Sequence, residues 1–374
     1  YNPQTGLFRG ESSFIDWREQ SYPVWAQPAD IYMSECLGTN AAYYGVLKVM
    51  EDMATVLGKK KDVKKYGQKA EALKKAINDN FWVEEDGYYA SYLYGRQNLT
   101  RTQQSETLGE SFCVLFGIAD EERAAKVISS MPVGEFGPPI FSPQIVSQPD
   151  YHNNGVWPYV TSFWGKAAAK VGNETALMHA LACNVRTASI YATNYENYSF
   201  NTGNPYTTQI NSPNMLWGLS GFMGLFHRTF FGLEFTKEGL ALNPFIPTVL
   251  AGTRKLEAFP YRGMKLDITV SGSGNEIASC LVDGKEAEAF IPADWTGNHS
   301  IEIVMKGEHK PSSVNMVGYI GMPEVPAVKA EAGKLQWNAI SGAAKYWVLK
   351  DGQKVAETAS CSFNTQGGGE YQVI

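Results

Sequence analysis

Apolar positions recur at helical spacing through most of the first 235 residues and at alternate positions through much of the remainder. The strongest helical stripe is Tyr43, Tyr44, Val46, Leu47, Met50, Met53, Ala54 and Leu57. It predicts a helix over 30–58, capped by Asp30 and stopped at Gly58. Tyr66, Ala70, Leu73, Ala76, Ile77 and Phe81 form the next stripe, over 61–81, with a lysine-rich and therefore solvated opposite face. Asp86-Gly87 signals a turn before the alternating segment 88–94. Further helices are predicted over 106–118, 120–130, 156–171, 173–192 and 212–232. Seven helices grouped in pairs suggest helical hairpins, joined by loops longer than the ~2–8 residues usual in simple bundles. Long loops on a helical scaffold are where functional sites are carried.

Near residue 235 the period changes from helical to alternating. Residues 265–270 and 300–304 alternate, and Asp283-Gly284 marks a hairpin turn after Ser279-Cys280-Leu281-Val282. This predicts a small antiparallel β-sandwich. A third stretch opens with Pro323 and Pro326, continues through Leu335-Gln336-Trp337 and 344–348, turns at Asp351-Gly352 and ends in Tyr371-Gln372-Val373. The expected division is therefore 1–235, mainly α, then 236–320 and 321–374, both β.

Composition narrows the classes. With 374 residues, the chain has room for two or three domains at about 100–200 residues each. A hydrophobic fraction of 44% excludes a disordered chain. With 38 acidic and 32 basic residues, the net charge of -6 lacks the basic face that binds nucleic acid. No apolar run approaches the ~18 residues of a membrane span. The aromatic content, 9 Trp, 20 Tyr and 18 Phe, suits stacking on sugar rings, although large cores also bury aromatics. The five cysteines are odd in number, scattered and without CxxC spacing, so neither a disulfide framework nor a zinc site is signalled. The N-terminal residues lack the basic start and apolar stretch of a signal peptide and read like the middle of a domain.

Three polar-aromatic segments stand apart from the helical stripes. The first is Asp16-Trp17-Arg18-Glu19-Gln20, followed by Tyr22-Pro23. The second is Tyr151-His152-Asn153-Asn154-Gly155-Val156-Trp157-Pro158-Tyr159. The third is Asn194-Tyr195-Glu196-Asn197-Tyr198, followed by Thr202-Gly203 and Gln209. Asp16 and Glu196 are carboxyls in different surroundings, as a general acid and base require. The same residues also fit simpler roles: an ion pair with Arg18 or a helix cap for Asp16, and a loop-fixing carboxylate for Glu196. His152 has no second ligand at metal spacing, and no H-E-x-x-H occurs, so zinc catalysis is rejected. Gly218-Leu219-Ser220-Gly221 lacks the spacing of a nucleophile elbow, and there is no phosphate-binding loop motif. His179 and His227 read as structural, and no cofactor is implied.

Together the three segments resemble the six-hairpin (α/α)6-toroid glycosidases, most closely the family 63-like and bacterial α-glucosidase-type enzymes. Glu196-Asn197-Tyr198-x-x-x-Thr202-Gly203 is similar to the segment around that family's general base. His152-Asn153 through Trp157-Pro158 is similar to a loop lining the sugar-binding subsite, and Asp16 stands where the family's acid lies. The string Asp16-Trp17-Arg18-Glu19-Gln20 departs from the usual one, which leaves Glu19 a rival for the acid and Glu35 a weaker one. Residues 321–374 resemble a fibronectin type III module, incomplete at its C-terminal end.

The resemblance implies hydrolysis of α-linked oligosaccharides with inversion. Asp16 or Glu19 would be the acid and Glu196 the base, ~6.5–9.5 Å apart. Trp17, Trp25, Trp157, Tyr159, Tyr195 and Tyr198 would supply the sugar platform, and Arg18, Gln20, His152, Asn153 and Gln209 would bind hydroxyls. In such toroids the acid precedes helix six and the base follows helix eleven. Six helices are predicted between Asp16 and Glu196, so the first five toroid helices are expected from upstream polypeptide or another chain. An α-L-rhamnosidase-like hydrolase, a glycoside phosphorylase and a non-catalytic carbohydrate-binding toroid are the alternatives. The fibronectin-like resemblance implies a periplasmic or extracellular setting.

Overall fold

A computed structural model describes residues 1–10, 22–146 and 148–374. It contains eight α-helices among these residues: α1 (Pro28–Met33), α2 (Leu37–Val56), α3 (Lys60–Phe81), α4 (Thr107–Leu115), α5 (Glu121–Ser130), α6 (Pro158–Lys170), α7 (Glu174–Tyr191) and α8 (Leu216–Thr229). The single helix expected over 30–58 is two. Ser34 ends α1: its hydroxyl bonds the carbonyls of Ile31 (2.6 Å) and Gly10 (3.1 Å). Glu35–Cys36 is then extended and pairs with Tyr92–Tyr94. The last helix starts at Leu216 rather than 212, because residues 211–215 anchor the loop before it.

Helices α2, α4, α6 and α8 pack side by side in that order, with α3 against α2 and α7 against α6. Burial follows position in this arc. Residues 107–114 of α4 are all buried, as are eight residues of α6. In α2 and α8, at the two ends, only six and four residues are buried. The predicted stripe of α3 holds at Ala70, Leu73, Ala76, Ile77 and Phe81. Short strands stitch the N-terminal ends of the arc together. Ser105–Glu106, before α4, pairs with Phe141–Ser142, and Gly155–Val156, before α6, pairs with Tyr198–Ser199. No described helix is long and apolar enough to cross a membrane.

The β region departs from the expected antiparallel sandwich. Its main sheet has five strands in the order Gly252–Tyr261, Met264–Gly272, Gly297–Lys306, Glu276–Val282, Lys285–Glu286. The pair Met264–Gly272 and Gly297–Lys306 runs parallel. Gly274 exchanges two backbone hydrogen bonds with Ile246, drawing the chain away from the sheet edge. Gly297–Lys306 takes the vacated place beside Met264–Gly272. The predicted alternation is present: Met264, Leu266, Ile268 and Val270 are buried, facing Ile301, Ile303 and Met305. Asp283-Gly284 forms the expected two-residue turn, both residues at positive φ. One apolar core runs from Leu7 through the helices into this sheet.

Residues 312–322 then form a strap back across the helices. Asn173 Nδ2 donates to the Ser313 carbonyl (2.9 Å) and Asn315 Nδ2 to that of Ser130 (2.8 Å). Asn315–Met316 pairs in parallel with Pro132–Val133, and Gln144 bonds both Ile320 and Met322 through its backbone. Beyond the strap, two three-stranded sheets enclose a separate core of Leu335, Trp337, Ile340, Tyr346, Val348 and Val373.

Candidate active site

The loop between α7 and α8 carries Glu196. Its backbone N–H donates to the Ser212 carbonyl (2.9 Å), and the Met215 N–H donates to that of Asn194 (2.8 Å). Asn211 clamps the loop from inside. Its Oδ1 accepts from the N–H groups of Glu196 (3.1 Å) and Asn197 (3.3 Å), while its Nδ2 donates to the carbonyls of Asn197 and Pro205 (both 2.8 Å). The Glu196 side chain is 7% exposed, and Tyr151 Oη donates to its Oε1 at 3.3 Å. A hydroxyl donated to a carboxylate favours the ionised form, the form a general base needs.

The loop before α6 supplies Tyr151 and is tied to the Glu196 loop. Asp150 Oδ2 accepts from Asn154 Nδ2 (2.8 Å) and Ser199 Oγ (2.9 Å), and its carbonyl accepts from the Gln209 N–H (2.8 Å). Gly155 lets the loop close: a Cβ there would lie 1.8 Å from the Tyr151 carbonyl oxygen. His152 is buried between Tyr151 (4.6 Å between centroids) and Trp157 (4.9 Å).

The predicted residues divide into three groups. Asp16, Trp17, Arg18, Glu19 and Gln20 lie outside the described residues, and with them the acid–base separation. Glu196, Tyr151 and His152 come together, with Tyr195 and Tyr198 beside them; the Tyr195 N–H donates to Tyr198 Oη (3.2 Å). A third group has other duties. The Asn153 amide is taken up by the loop itself, accepting from the Ile145 N–H (2.7 Å) and donating to the Ile145 (2.9 Å) and Gln148 (2.8 Å) carbonyls. Trp157 is 3% exposed and donates through Nε1 to the Tyr151 carbonyl (3.1 Å), so it is a wall support rather than an open platform. Gln209 is joined to the site through its backbone, with an exposed side chain. Glu35, the weaker rival for the acid, is fully buried and accepts from Asn2 Nδ2 at 2.6 Å.

Sequence reading missed Trp217, Asn211 and Asp150. Trp217 is 41% exposed, stacks on Tyr159 (4.8 Å, 23°) and meets Trp157 at 5.4 Å, so it continues the aromatic wall to the surface. It sits inside an apolar helical stripe, where its spacing signals core. Asn211 sits in a polar run with no pattern of its own. Among the described residues no cluster of three or more His, Cys, Asp or Glu side chains is placed to hold a metal. The large cleft of ≈ 1160 Å³ at the far ends of α6 and α8, lined by Lys166, Lys170 and Arg228, includes none of the candidate residues.

The site thus consists of a buried carboxylate on a clamped loop with an aromatic wall beside it, on a scaffold of helical hairpins. The fold is shared with a solved sialidase at a TM-score of 0.55 and 16% identity, covering 75% of this chain and 28% of that one. A GH78 family rhamnosidase of Bacillus sp. GL1 (TM-score 0.46, 18% identity, 85% and 30% coverage) and the neutral trehalase Nth1 of Saccharomyces cerevisiae (0.43, 12%, 53% and 38%) are more distant in shape. The chain thus spans about a third of the length of the solved structures it resembles. A search of curated proteins returned no match. Residues 18–217, more than half of the chain, match one family, and the chain belongs to it: the mannosylglycerate hydrolase MGH1-like glycoside hydrolase domain.

Proposed function

We propose that this chain carries the base side of the active site of an inverting glycosidase acting on α-linked oligosaccharides. Glu196 is the general base, taking a proton from the attacking water. Asp16, with Glu19 as its rival, protonates the leaving oxygen. The observation that carries the proposal is the Tyr151–Glu196 hydrogen bond, on a loop that Asn211 clamps and an aromatic wall borders. Tyr159 and Trp217 offer the exposed end of that wall to a sugar face. Residues 193–215 contain no Lys or Arg, which favours water over phosphate as the acceptor.

In this reading α2 to α8 are the last seven helices of an (α/α)6 toroid, and further amphipathic helices cover the two ends of the arc. The support is burial: α2 exposes Val46, Val49, Met53 and Val56, and α8 exposes Leu216, Leu219 and Met223, while α4 between them is closed. Stripes of that size on both terminal helices call for a partner surface. The C-terminal unit, two three-stranded sheets around Trp337, is read as fibronectin type III-like.

The test is turnover of a panel containing mannosylglycerate, trehalose, 4-nitrophenyl α-D-glucopyranoside and 4-nitrophenyl α-L-rhamnopyranoside, with the anomer of the first product followed by NMR. Glu196→Gln is expected to lose at least ~10³-fold in kcat. Full activity in that variant would remove Glu196 from the base role, and a retained anomer would remove inversion.

A further inference from the structure

The strap brings the C-terminal unit back onto the helical region, where one corner of it grips a loop. Gly352, in the Asp351-Gly352 turn, has φ +78°, and a Cβ added there would lie 2.7 Å from the Leu99 carbonyl oxygen. Asn98 Nδ2 donates to Glu370 Oε2 at 2.9 Å. Glu370 and Asp351 are themselves joined: the Glu370 N–H donates to Asp351 Oδ1 and the Asp351 N–H to the Glu370 carbonyl, both at 2.8 Å. Both contacts on the loop thus come from a single corner.

The same loop reaches α1. Arg96 meets Asp30 with two bonds, Nε to Oδ1 at 2.6 Å and Nη2 to Oδ2 at 3.2 Å, and Trp25 packs on Tyr94 at 5.4 Å. Ahead of α1, the Tyr22 carbonyl accepts from Gln148 Nε2 (3.2 Å). The Gln148 carbonyl accepts from Asn153 Nδ2 (2.8 Å), in the loop that presents Tyr151 to Glu196. A continuous series of contacts therefore runs from Glu370 to the candidate base.

We infer that the C-terminal β unit is a positioning element for the site: by holding Asn98 and Leu99 it fixes residues 22–34, against which the Tyr151 loop rests. A unit serving only as a tether would hang from a free linker, whereas this one is strapped down on one side and gripped on the other. Asn98, Arg96 and Glu370 are positioning residues, distant from any reacting atom. The effect on catalysis rests on the glycosidase reading; the effect on loop order does not.

The experiment compares the full chain with Asn98→Ala, Glu370→Ala, Glu370→Gln and the double alanine variant. Amide hydrogen exchange is read over 22–34, 94–101 and 346–373, and kcat and KM are measured on 4-nitrophenyl α-D-glucopyranoside. Either alanine is expected to speed exchange over 22–34 and 94–101 about tenfold, as loss of one hydrogen bond implies, with 346–350 and 371–373 still protected. The double variant should match the singles, and Glu370→Gln, which keeps an acceptor, should match the parent. The expected kinetic signature is a fall in kcat larger than the change in KM. Unchanged exchange over 22–34 in both alanine variants overturns the inference, as does loosening of 346–373 in every variant including Glu370→Gln. If the parent chain fails to turn over the probe, the activity reading suffers, and the exchange result alone decides this one.

Discussion

Under the proposed base role of Glu196, Tyr151 matters as the donor to its carboxylate. Replacing it with phenylalanine removes this hydrogen bond but keeps the ring, and kcat should fall about tenfold in initial-rate assays. An unchanged kcat would reduce Tyr151 to packing. Glu106 offers a titration away from the candidate site. It caps α4 by accepting from the Gly109 N–H, with the Gly38 N–H close by. Burial pushes its pKa from the ordinary 4.5 up to about 7. Between those values the folded chain holds a proton that the unfolded chain has lost, so stability should fall as pH rises from 4.5 to 7. The loss from this group is on the order of 3 kcal/mol at most; Glu110, also buried and held well above the ordinary carboxyl range, adds a slope of the same sign, so urea unfolding of Glu106→Gln should show a shallower fall than the parent over this window, and an unchanged slope would remove Glu106 as a contributor. Glu196 was legible in the sequence because a carboxylate among tyrosines and asparagines has few bland explanations. Trp217 was not, since an indole at core spacing looks the same whether its outer face meets a helix or a sugar. Asn153 misled for the converse reason: an amide suited to sugar hydroxyls is equally suited to its own loop.

Among the elements, the loop ending at α6 is the most constrained. A methyl group at position 155 collides with the Tyr151 carbonyl, and the loop cannot yield without releasing its bonds to Ile145 and Ser199. Gly155→Ala should lower unfolding free energy by about 3 kcal/mol and abolish turnover. Near-native values for both, from denaturation and initial rates, would show that the loop has a second conformation. Periodicity found the helices because each buries a single face. It joined α1 to α2 because the stop between them is a tertiary event, the Ser34 hydroxyl reaching Gly10. The parallel strand pair escaped for a similar reason: alternation reports which face a strand buries, not which neighbour it pairs with.

At the scale of the whole molecule, two cores imply two melting units. Helices and five-stranded sheet share one apolar cluster, and the C-terminal strands have their own, much smaller one. Calorimetry should record a minor transition for the C-terminal unit and a single larger one for the rest. Separate transitions for helices and sheet would mean that their common core does not couple them. The change of period near residue 235 was visible in the sequence, but the shared core was not. Nothing in an alternating strand announces that its buried face meets helices.

The strap has a consequence for anyone who recombines this protein. Residues 312–322 pair with Pro132–Val133 and Gln144, so part of the docking address is written ahead of the unit and the rest, at Gly352 and Glu370, within it. A chimera that joins a foreign β module after residue 322 keeps the first part of the address and brings its cargo near the 95–99 loop without gripping it. One that cuts before 312 delivers the same cargo nowhere in particular.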